Sequence, residues 1–220
     1  MTRSKIVALE QALSHVQDGM TVMVGGFMGC GNAHHLIDGL IDAGTQDLTL
    51  ICNDGALPGF GVGKLVENKR LRKLVASHVG LNPEVGRLMN AGELEVELVP
   101  QGTFAERIRA GGYGLGGVLT PTGLGTPVAE GKQVVTVDGR DFLLEKPLRA
   151  DVALLCGYKV DPFGNIWYRG DTRTFQPVMA MAADLVIAEA DTVIPLGAIP
   201  PEDVVTPGIL VDYVVKGDDL

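Results

Sequence analysis

The chain has few of the features that mark secreted, membrane-spanning or disulfide-stabilised proteins. Its three cysteines are odd in number and lie far apart among apolar residues, so we expect reduced, buried thiols rather than a disulfide framework. No apolar run reaches the roughly 18–20 residues that span a bilayer, and the N-terminus leads into an amphipathic pattern without a signal-peptide core. These absences predict a cytoplasmic protein that does not bind membranes.

Basic residues are scarce relative to acidic ones. There are 18 Lys and Arg against 27 Asp and Glu, and the net charge of −9 argues against nucleic acid as a partner. Aromatic residues make up only 5% of the chain, but apolar residues make up 46%, which excludes disorder. A chain of 220 residues with this composition can bury a sizeable core, and we predict a single domain over residues 1–220.

Glycine, in contrast, is abundant. The chain has 30 glycines, roughly twice the usual share of about 7%, and they cluster after apolar runs that predict buried strands. Strand and helix patterns alternate, which predicts an α/β fold with a mainly parallel sheet and helices on both faces. Asp138-Gly139 between two apolar segments predicts a small antiparallel hairpin insertion. In such a fold the ligand site lies at the carboxyl ends of the strands.

Local patterns predict several individual elements. Apolar residues at helical spacing predict a helix over residues 5–17. Glu93–Val99 alternates charged and apolar residues, which predicts a strand near a sheet edge with its apolar side chains buried. Thr103 and Glu106 form a capping-box pattern that predicts the start of the next helix. The seven glycines of residues 111–126 predict neither regular helix nor strand.

The first glycine-rich loop is the strongest candidate for a binding site. An apolar run ends in Gly25-Gly26-Phe27-Met28-Gly29-Cys30-Gly31, and a helical pattern over residues 33–43 follows. A glycine turn between a strand and a helix N-terminus lets a ligand approach the backbone and directs free N–H groups at an anion. A tight turn without a ligand is the alternative. The match to a dinucleotide fingerprint is incomplete, because His34 stands where the third glycine belongs.

The remaining polar clusters give no complete site. Cys30, His34 and His35 are not joined by a second Cys or His cluster, so no metal site is expected. A group of five cations could either steer phosphate groups or form a solvated surface: Lys64, Lys69, Arg70, Arg72 and Lys73. Glu145 lies in an apolar run, where a strand-end charge beside Lys146 is the simpler interpretation. The chain has no activated nucleophile, which indicates that a partner supplies the chemistry.

Four separated motifs resemble the α subunits of class I CoA-transferases. They are Asp18-Gly19-x-x-Val22-Met23-Val24-Gly25-Gly26-Phe27-x-x-x-Gly31, Glu93–Thr103 with its Pro100-Gln101-Gly102 turn, Ala105–Gly112 and Leu119–Thr126, and the resemblance extends to Thr206-Pro207-Gly208. This resemblance implies an α/β subunit that works with a β subunit, on which a glutamate acts as nucleophile. The family's Glu-Asn-Gly nucleophile motif has no match here, since Glu67-Asn68 is followed by Lys69.

The resemblance also implies roles for particular residues. Gly25–Gly31 matches the segment that binds coenzyme A, and Gln101 matches a glutamine that donates to a developing oxyanion. One preorganised donor of this kind is worth about 3 kcal/mol of barrier. Asn53 and Gly112 match substrate-pocket positions. Asp54 replaces the second asparagine of the family's Asn-Asn loop, which adds negative charge where a carboxylate substrate could bind.

The activity implied by the resemblance is transfer of CoA between short-chain acids such as acetate, acetoacetate and butyrate. The implied mechanism is ping-pong through a glutamyl-CoA thioester on the β subunit, in an α2β2 assembly, with acyl-CoA as substrate and no tightly bound cofactor. Ser77–Gly80 and Gly117–Pro121 favour the acetate/acetoacetate branch, while a 3-oxoadipate or succinyl-CoA:3-oxoacid enzyme stays open. Two rival functions are a sugar-phosphate isomerase or deaminase with its own acid/base set, and a non-catalytic sensor of acyl-CoA or sugar phosphate.

Overall fold

Eleven strands, six α-helices and four short 3-10 helices make up the regular structure of the computed structural model, which describes residues 4–217. The strands are β1 (Thr21–Val24), β2 (Leu48–Ile51), β3 (Leu71–Ala76), β4 (Glu95–Leu98), β5 (Val118–Thr120), β6 (Val134–Val137), β7 (Arg140–Glu145), β8 (Ala150–Val160), β9 (Ile166–Trp167), β10 (Ala183–Val193) and β11 (Tyr213–Lys216). The helices are α1 (Leu9–Leu13), α2 (His34–Asp42), α3 (Gly63–Glu67), α4 (Pro83–Asn90), α5 (Gln101–Gly112) and α6 (Gln176–Met181).

The main sheet has the strand order β11-β10-β8-β1-β2-β3-β4, and every neighbouring pair along this path is parallel. The short β9 pairs antiparallel with the end of β8. A separate antiparallel sheet of order β5-β7-β6 contains the hairpin that Asp138-Gly139 predicts. The predicted architecture of a mainly parallel sheet with a small antiparallel insertion is therefore confirmed.

Helices cover both faces of the main sheet, because neighbouring residues of a strand point to opposite faces. Val22 and Val24 belong to the core under α1–α4, whereas Met23 belongs to the core under α5 and α6. On β8, Leu154 and Leu155 divide between the two cores in the same way. Because both faces of the sheet are buried, these strands are apolar at successive positions.

The N-terminal helix is shorter than predicted. The periodicity predicts a helix over residues 5–17, but α1 covers only Leu9–Leu13. The residues before it are extended and pair with β11: Val7 N donates to Val214 O at 2.9 Å, and Val214 N donates to Lys5 O at 2.9 Å. The exposed edge of β11 offers backbone partners that a local periodicity does not contain.

Three further expectations need correction. The β4 strand does lie at the sheet edge, but Leu98 at its end is 50% exposed. The capping box is wrong, because α5 begins at Gln101 and Thr103 Oγ1 is buried without a hydrogen bond. Residues 111–126 do contain regular structure, since α5 continues through Gly112 and β5 follows. A Cβ on Gly111 would lie 2.0 Å from Leu148 O, so close packing explains this helical glycine.

Glu145 does not pair with Lys146 as a simple strand-end charge. It is 1% exposed and lies 2.6 Å from Lys132 Nζ, with Arg107 Nε at 3.9 Å. Arg107 also contacts Glu97 at 2.8 Å and donates to Lys146 O at 2.7 Å. This buried ion cluster fastens the small sheet to β4 and α5 of the main domain.

Candidate functional site

The loops that follow β1, β2, β3 and β4 meet at one edge of the main sheet. Parallel strands end at the same edge, so the glycine loop, Asn53, Ser77 and Gln101 come together although they are far apart in sequence. Hydrogen bonds connect them into one network. A cavity of about 790 Å³ elsewhere lies between α1 and the end of α2, and none of the predicted site residues line it.

The glycine loop contains a tight hairpin turn. Phe27 and Cys30 exchange two backbone hydrogen bonds of 2.9 Å. The two central residues, Met28 (φ 54°) and Gly29 (φ 84°), are both left-handed, as in a type I′ turn. Methionine rarely adopts such a backbone, so the turn depends on its surroundings. Phe27 and Cys30 are exposed, and the Cys30 thiol therefore departs from the expectation of three buried cysteines.

Contacts within the protein explain most of the loop's glycines. A Cβ on Gly25 would lie 2.2 Å from the Gln176 side chain, and one on Gly29 would lie 2.3 Å from the Phe60 ring. A Cβ on Gly31 would lie 2.9 Å from Thr172 O. The tight-turn interpretation thus accounts for the glycines without a ligand, and the role of the loop in CoA binding stays a prediction.

An acidic side chain of the protein itself lies at the N-terminus of α2. The buried carboxylate of Glu189, from β10, accepts a hydrogen bond of 2.9 Å from Leu36 N in the first turn of α2. A negative side chain of the chain itself therefore occupies the position where an anion would be stabilised. The acceptor comes from a residue about 150 positions away, and anion binding at this helix end stays a prediction.

Two buried amides that sequence reasoning missed hold the loop. Asn32 Nδ2 donates to Gly25 O at 2.6 Å, and Asn32 Oδ1 accepts from Val62 N at 2.9 Å. Gln176 Nε2 donates to Gly31 O at 2.6 Å. A polar residue directly after the glycine run is the only sequence signal for Asn32, and Gln176 has none because α6 is remote in sequence.

Gln101 is held by two neighbouring polar side chains. Its Nε2 donates to Asn53 Oδ1 at 2.7 Å, while its Oε1 accepts from the hydroxyl of Ser77. Asn53 is buried, whereas Gln101 is exposed at the edge of the site. A primary amide has two N–H groups, and among the described residues only Asn53 accepts from the Gln101 amide. The second N–H is thus available to a substrate oxygen.

Asp54 does not direct its charge at a substrate. It is 3% exposed, and its carboxylate accepts from Met28 N at 3.0 Å, Ala56 N at 2.7 Å and Asn53 Nδ2 at 2.8 Å. The negative charge that the sequence placed near a carboxylate substrate is therefore turned into the protein. These contacts also join the glycine loop to Asn53 and Gln101.

The structure does not bring Gly112 to this site. Gly112 is the last residue of α5, about 16 Å along the helix from Gln101 at 1.5 Å per residue. A Cβ there would lie 2.7 Å from Met181 Cβ, so the glycine permits close contact between α5 and α6. Gly112 therefore has a packing role, and its role in the substrate pocket stays a prediction.

Four of the five cations also lie away from the site. Lys69, Arg70, Arg72 and Lys73 surround the amino end of β3, opposite the edge that holds Gln101. Each of the five cations contacts an oxygen of the chain, and these partners are Asp38 for Lys64, Glu93 for Lys69, Ile41 O for Arg70, Asp47 O for Arg72, and Glu95 with Glu97 for Lys73. The solvated-surface interpretation fits these contacts, and phosphate steering does not.

Titratable groups near the glycine loop are shifted by burial. Burial lowers the pKa of His34, whose Nε2 lies 3.0 Å from Gly29 O. Burial raises the pKa of Asp191 and that of the Cys156 thiol, which lies 3.6 Å from Asp191 Oδ1. All three shifts disfavour the charged form, so neither the Asp191 carboxylate nor the Cys156 thiolate forms readily as a nucleophile. Within residues 4–217, no three His, Cys, Asp or Glu side chains are arranged to hold a metal, and no helix is long and apolar enough to cross a bilayer.

Comparison with known proteins gives matches over nearly the whole chain. A family model described as Coenzyme A transferase matches residues 6–217. The acetate CoA-transferase subunit alpha of Escherichia coli is 50% identical over 217 residues, which are 99% of each chain. The acetoacetyl-CoA:acetate/butyrate CoA transferase alpha subunit of Clostridium acetobutylicum is 50% identical over 213 residues, covering 97% of this chain and 98% of that one.

A solved structure shares the fold. An acyl-CoA transferase from Escherichia coli, in a thioester complex with CoA, superposes with a TM-score of 0.87 at 21% identity. The match covers 100% of this chain but 48% of the other, so the chain spans about half the length of that structure. At this identity the likeness concerns the fold alone.

Proposed function

The chain belongs to the coenzyme A transferase family, and on that premise we propose that it is the α subunit of an acyl-CoA:carboxylate CoA-transferase. Its substrates in this proposal are acyl-CoA and short-chain acids of the acetate, acetoacetate and butyrate type, and it works in the cytoplasm. The observation that carries the proposal is the Gln101 amide, which keeps one N–H available to a substrate oxygen at this edge of the sheet.

The partner β subunit supplies the nucleophile in this mechanism. A β-subunit glutamate attacks the thioester carbonyl, whose oxygen gains negative charge and accepts a hydrogen bond from Gln101 Nε2. Collapse of this intermediate expels CoA thiolate and leaves an acyl-glutamyl anhydride. The thiolate then attacks the glutamyl carbonyl, which releases the first acid and leaves a glutamyl-CoA thioester. A second carboxylate reverses these steps and leaves as the new acyl-CoA.

The role of the glycine loop in this proposal is to form one wall of the shared site. Phe27 and Cys30 expose side chains there, and Phe60 next to them is 44% exposed. An apolar, ordered surface suits the pantetheine part of coenzyme A, which is extended and uncharged. Because Glu189 already occupies the α2 N-terminus, the loop contributes contact surface rather than a phosphate site.

Reconstitution tests the proposal. The chain alone should show no CoA transfer, the chain with its β subunit should be active, and borohydride should trap a thioester on the β subunit only. Gln101→Ala should lower kcat by about 10²–10³-fold without loss of assembly. Gln11→Ala, at an exposed glutamine of α1, is the matched control and should leave kcat unchanged. Turnover by the chain alone, or a trapped glutamyl group in it, would contradict the proposal.

The substrate branch and the stoichiometry need separate measurements. Acetate, acetoacetate and butyrate should be better acceptors than 3-oxoadipate or succinate, judged by kcat/KM with a common acyl-CoA donor. A preference for 3-oxoadipate would move the enzyme to the other branch of the family. We propose an α2β2 assembly, and native mass spectrometry of the reconstituted enzyme would give its composition directly.

A further inference from the structure

The buried Asp54 carboxylate links the two parts of the proposed site. All three of its hydrogen bonds come from N–H groups: the backbone of Met28, the backbone of Ala56 and the side chain of Asn53. A carboxylate can only accept hydrogen bonds, so each of these groups must present a donor to it. At 3% exposure, the residue has little contact with bulk solvent.

The consequence is clearest for Asn53, because a side-chain amide has almost the same shape when its oxygen and nitrogen are exchanged. Since Asp54 requires a donor, Asn53 presents Nδ2 to it and directs Oδ1 at Gln101. Gln101 must then present Nε2 to Asn53, which leaves its Oε1 for the Ser77 hydroxyl. The orientation of one amide sets the orientation of the next.

The same carboxylate also holds the glycine loop. Met28 has a left-handed backbone, φ 54°, which is unfavourable for a side chain with a Cβ. Its N–H donates to Asp54 Oδ2 at 3.0 Å, the same oxygen that accepts from Asn53 Nδ2. Asp54 Oδ2 therefore contacts the hairpin turn through Met28 N and is connected to the Gln101 amide through Asn53.

We propose that Asp54 is a positioning residue that fixes the Asn53 and Gln101 amides, so that Gln101 presents an N–H rather than its carbonyl oxygen to the reacting acyl group. This inference rests on the proposed role of Gln101 as the oxyanion donor. Asparagine, which the family's Asn-Asn loop has at this position, does not perform this function among the N–H donors of this chain. If the asparagine NH₂ group takes the place of Oδ1, it faces the N–H of Ala56. If it takes the place of Oδ2, it faces the donors Met28 N and Asn53 Nδ2.

The test uses Asp54→Asn in the reconstituted enzyme with its β subunit. We expect kcat to fall about tenfold or more, because the Gln101 amide is no longer held in one orientation, while KM for acyl-CoA changes less than about twofold. In a Gln101→Ala background the same substitution should change kcat less than about twofold. An effect that acts through Gln101 disappears when Gln101 is gone, so the two substitutions are not additive.

A closely matched control exists in the turn after β8. Asp161 is 1% exposed and accepts from Phe163 N at 3.0 Å, Asn165 N at 3.0 Å and Asn165 Nδ2 at 2.8 Å. It therefore has the same kinds of donor as Asp54, two backbone N–H groups and one asparagine amide, although both backbone groups meet Oδ1. Asp161→Asn should reduce thermal stability and leave kcat within about twofold of wild type.

A charge-exchange variant tests the orientation itself. Asn53→Asp combined with Asp54→Asn keeps one carboxylate in the network, which supports folding, and that carboxylate again requires Gln101 to present Nε2. We expect kcat to exceed that of Asp54→Asn by about threefold or more. A kcat no higher than that of the single variant would overturn the inference.

The remaining outcomes separate the two proposals. If Gln101→Ala lowers kcat but Asp54→Asn does not, the positioning role of Asp54 is wrong and the proposed function stands. An equal effect of Asp54→Asn in both backgrounds would also overturn the positioning role. If Gln101→Ala itself keeps wild-type kcat, the oxyanion role fails, and the Asp54 inference fails with it.

Discussion

Gly25→Ala gives a direct test of why the first loop is rich in glycine. The new Cβ would lie 2.2 Å from Gln176 Oε1 and 2.4 Å from Gln176 Cδ, far inside any permitted contact. Gln176 is fully buried, so its side chain has no solvent-filled space into which it can move. Gly25 is not among the residues with a left-handed backbone, so the substitution tests the contact and not backbone strain.

The cost follows from the hydrogen bonds that Gln176 makes. Its Nε2 donates to Gly31 O at 2.6 Å, and its Oε1 accepts from Cys156 N at 3.3 Å. A displaced Gln176 leaves a partly buried carbonyl and a buried N–H without this partner, and an unsatisfied buried group costs about 1–3 kcal/mol. We therefore expect Gly25→Ala to lower the free energy of unfolding by about 3 kcal/mol or more.

Urea unfolding, followed by circular dichroism, measures this loss. The matched control is Gly86→Ala in α4, where a Cβ would meet nothing within 4 Å and should stabilise by about 0.5–1 kcal/mol. In a Gln176→Ala background the cost of Gly25→Ala should fall below about 1 kcal/mol, because the obstructing side chain is gone. Equal costs in both backgrounds, or a raised KM with unchanged stability, would refute the packing explanation in favour of ligand contact.

Two further predictions concern the surroundings of the same loop. Glu189→Gln should lower the free energy of unfolding by about 1 kcal/mol, since the Leu36 N–H loses a charged acceptor at the α2 N-terminus, and urea unfolding at low and high salt would check it. Burial and, less strongly, the Lys64 charge lower the pKa of His34, against the opposing effects of Asp38, Asp191 and the Gly29 carbonyl. As the pH falls, the unfolded chain therefore binds a proton at His34 before the folded chain does. The free energy of unfolding should decrease as the pH drops through about 6.5. His34→Asn should weaken this fall in urea titrations at pH 7.5, 6.5 and 5.5, and an unchanged pH dependence would contradict the assignment.

The elements of the core were predictable because their signals are local and repeated. Buried strands such as Val22–Val24 are apolar at successive positions, which is typical of a sheet covered on both faces. Asn followed by Pro is typical of a helix start, and α4 begins at Pro83 with the Asn82 side chain accepting from Glu84 N. Asp138-Gly139 marks the hairpin for an equally local reason, since both residues have positive φ.

Local signals failed where a partner lies far away in the chain. The segment before α1 has a helical pattern but pairs with β11, about 200 residues later. Thr103 and Glu106 match a capping box, yet Pro100 directs α5 to begin earlier, at Gln101. The sequence around Glu145 does not indicate its cation partner, because Lys132 lies in a different segment, before β6.

Sequence alone determined the α/β class, the small antiparallel insertion and the family, since alternating patterns and ordered motifs do not depend on knowing any long-range contact. Tertiary structure decided what the site residues do. It turned Asp54 inward onto three N–H donors, placed Glu189 on the α2 N-terminus and moved Gly112 to a helix–helix contact. These outcomes depend on which side chains meet when parallel strands end at a common edge, and residues that meet there are separated by up to about 150 positions in the chain.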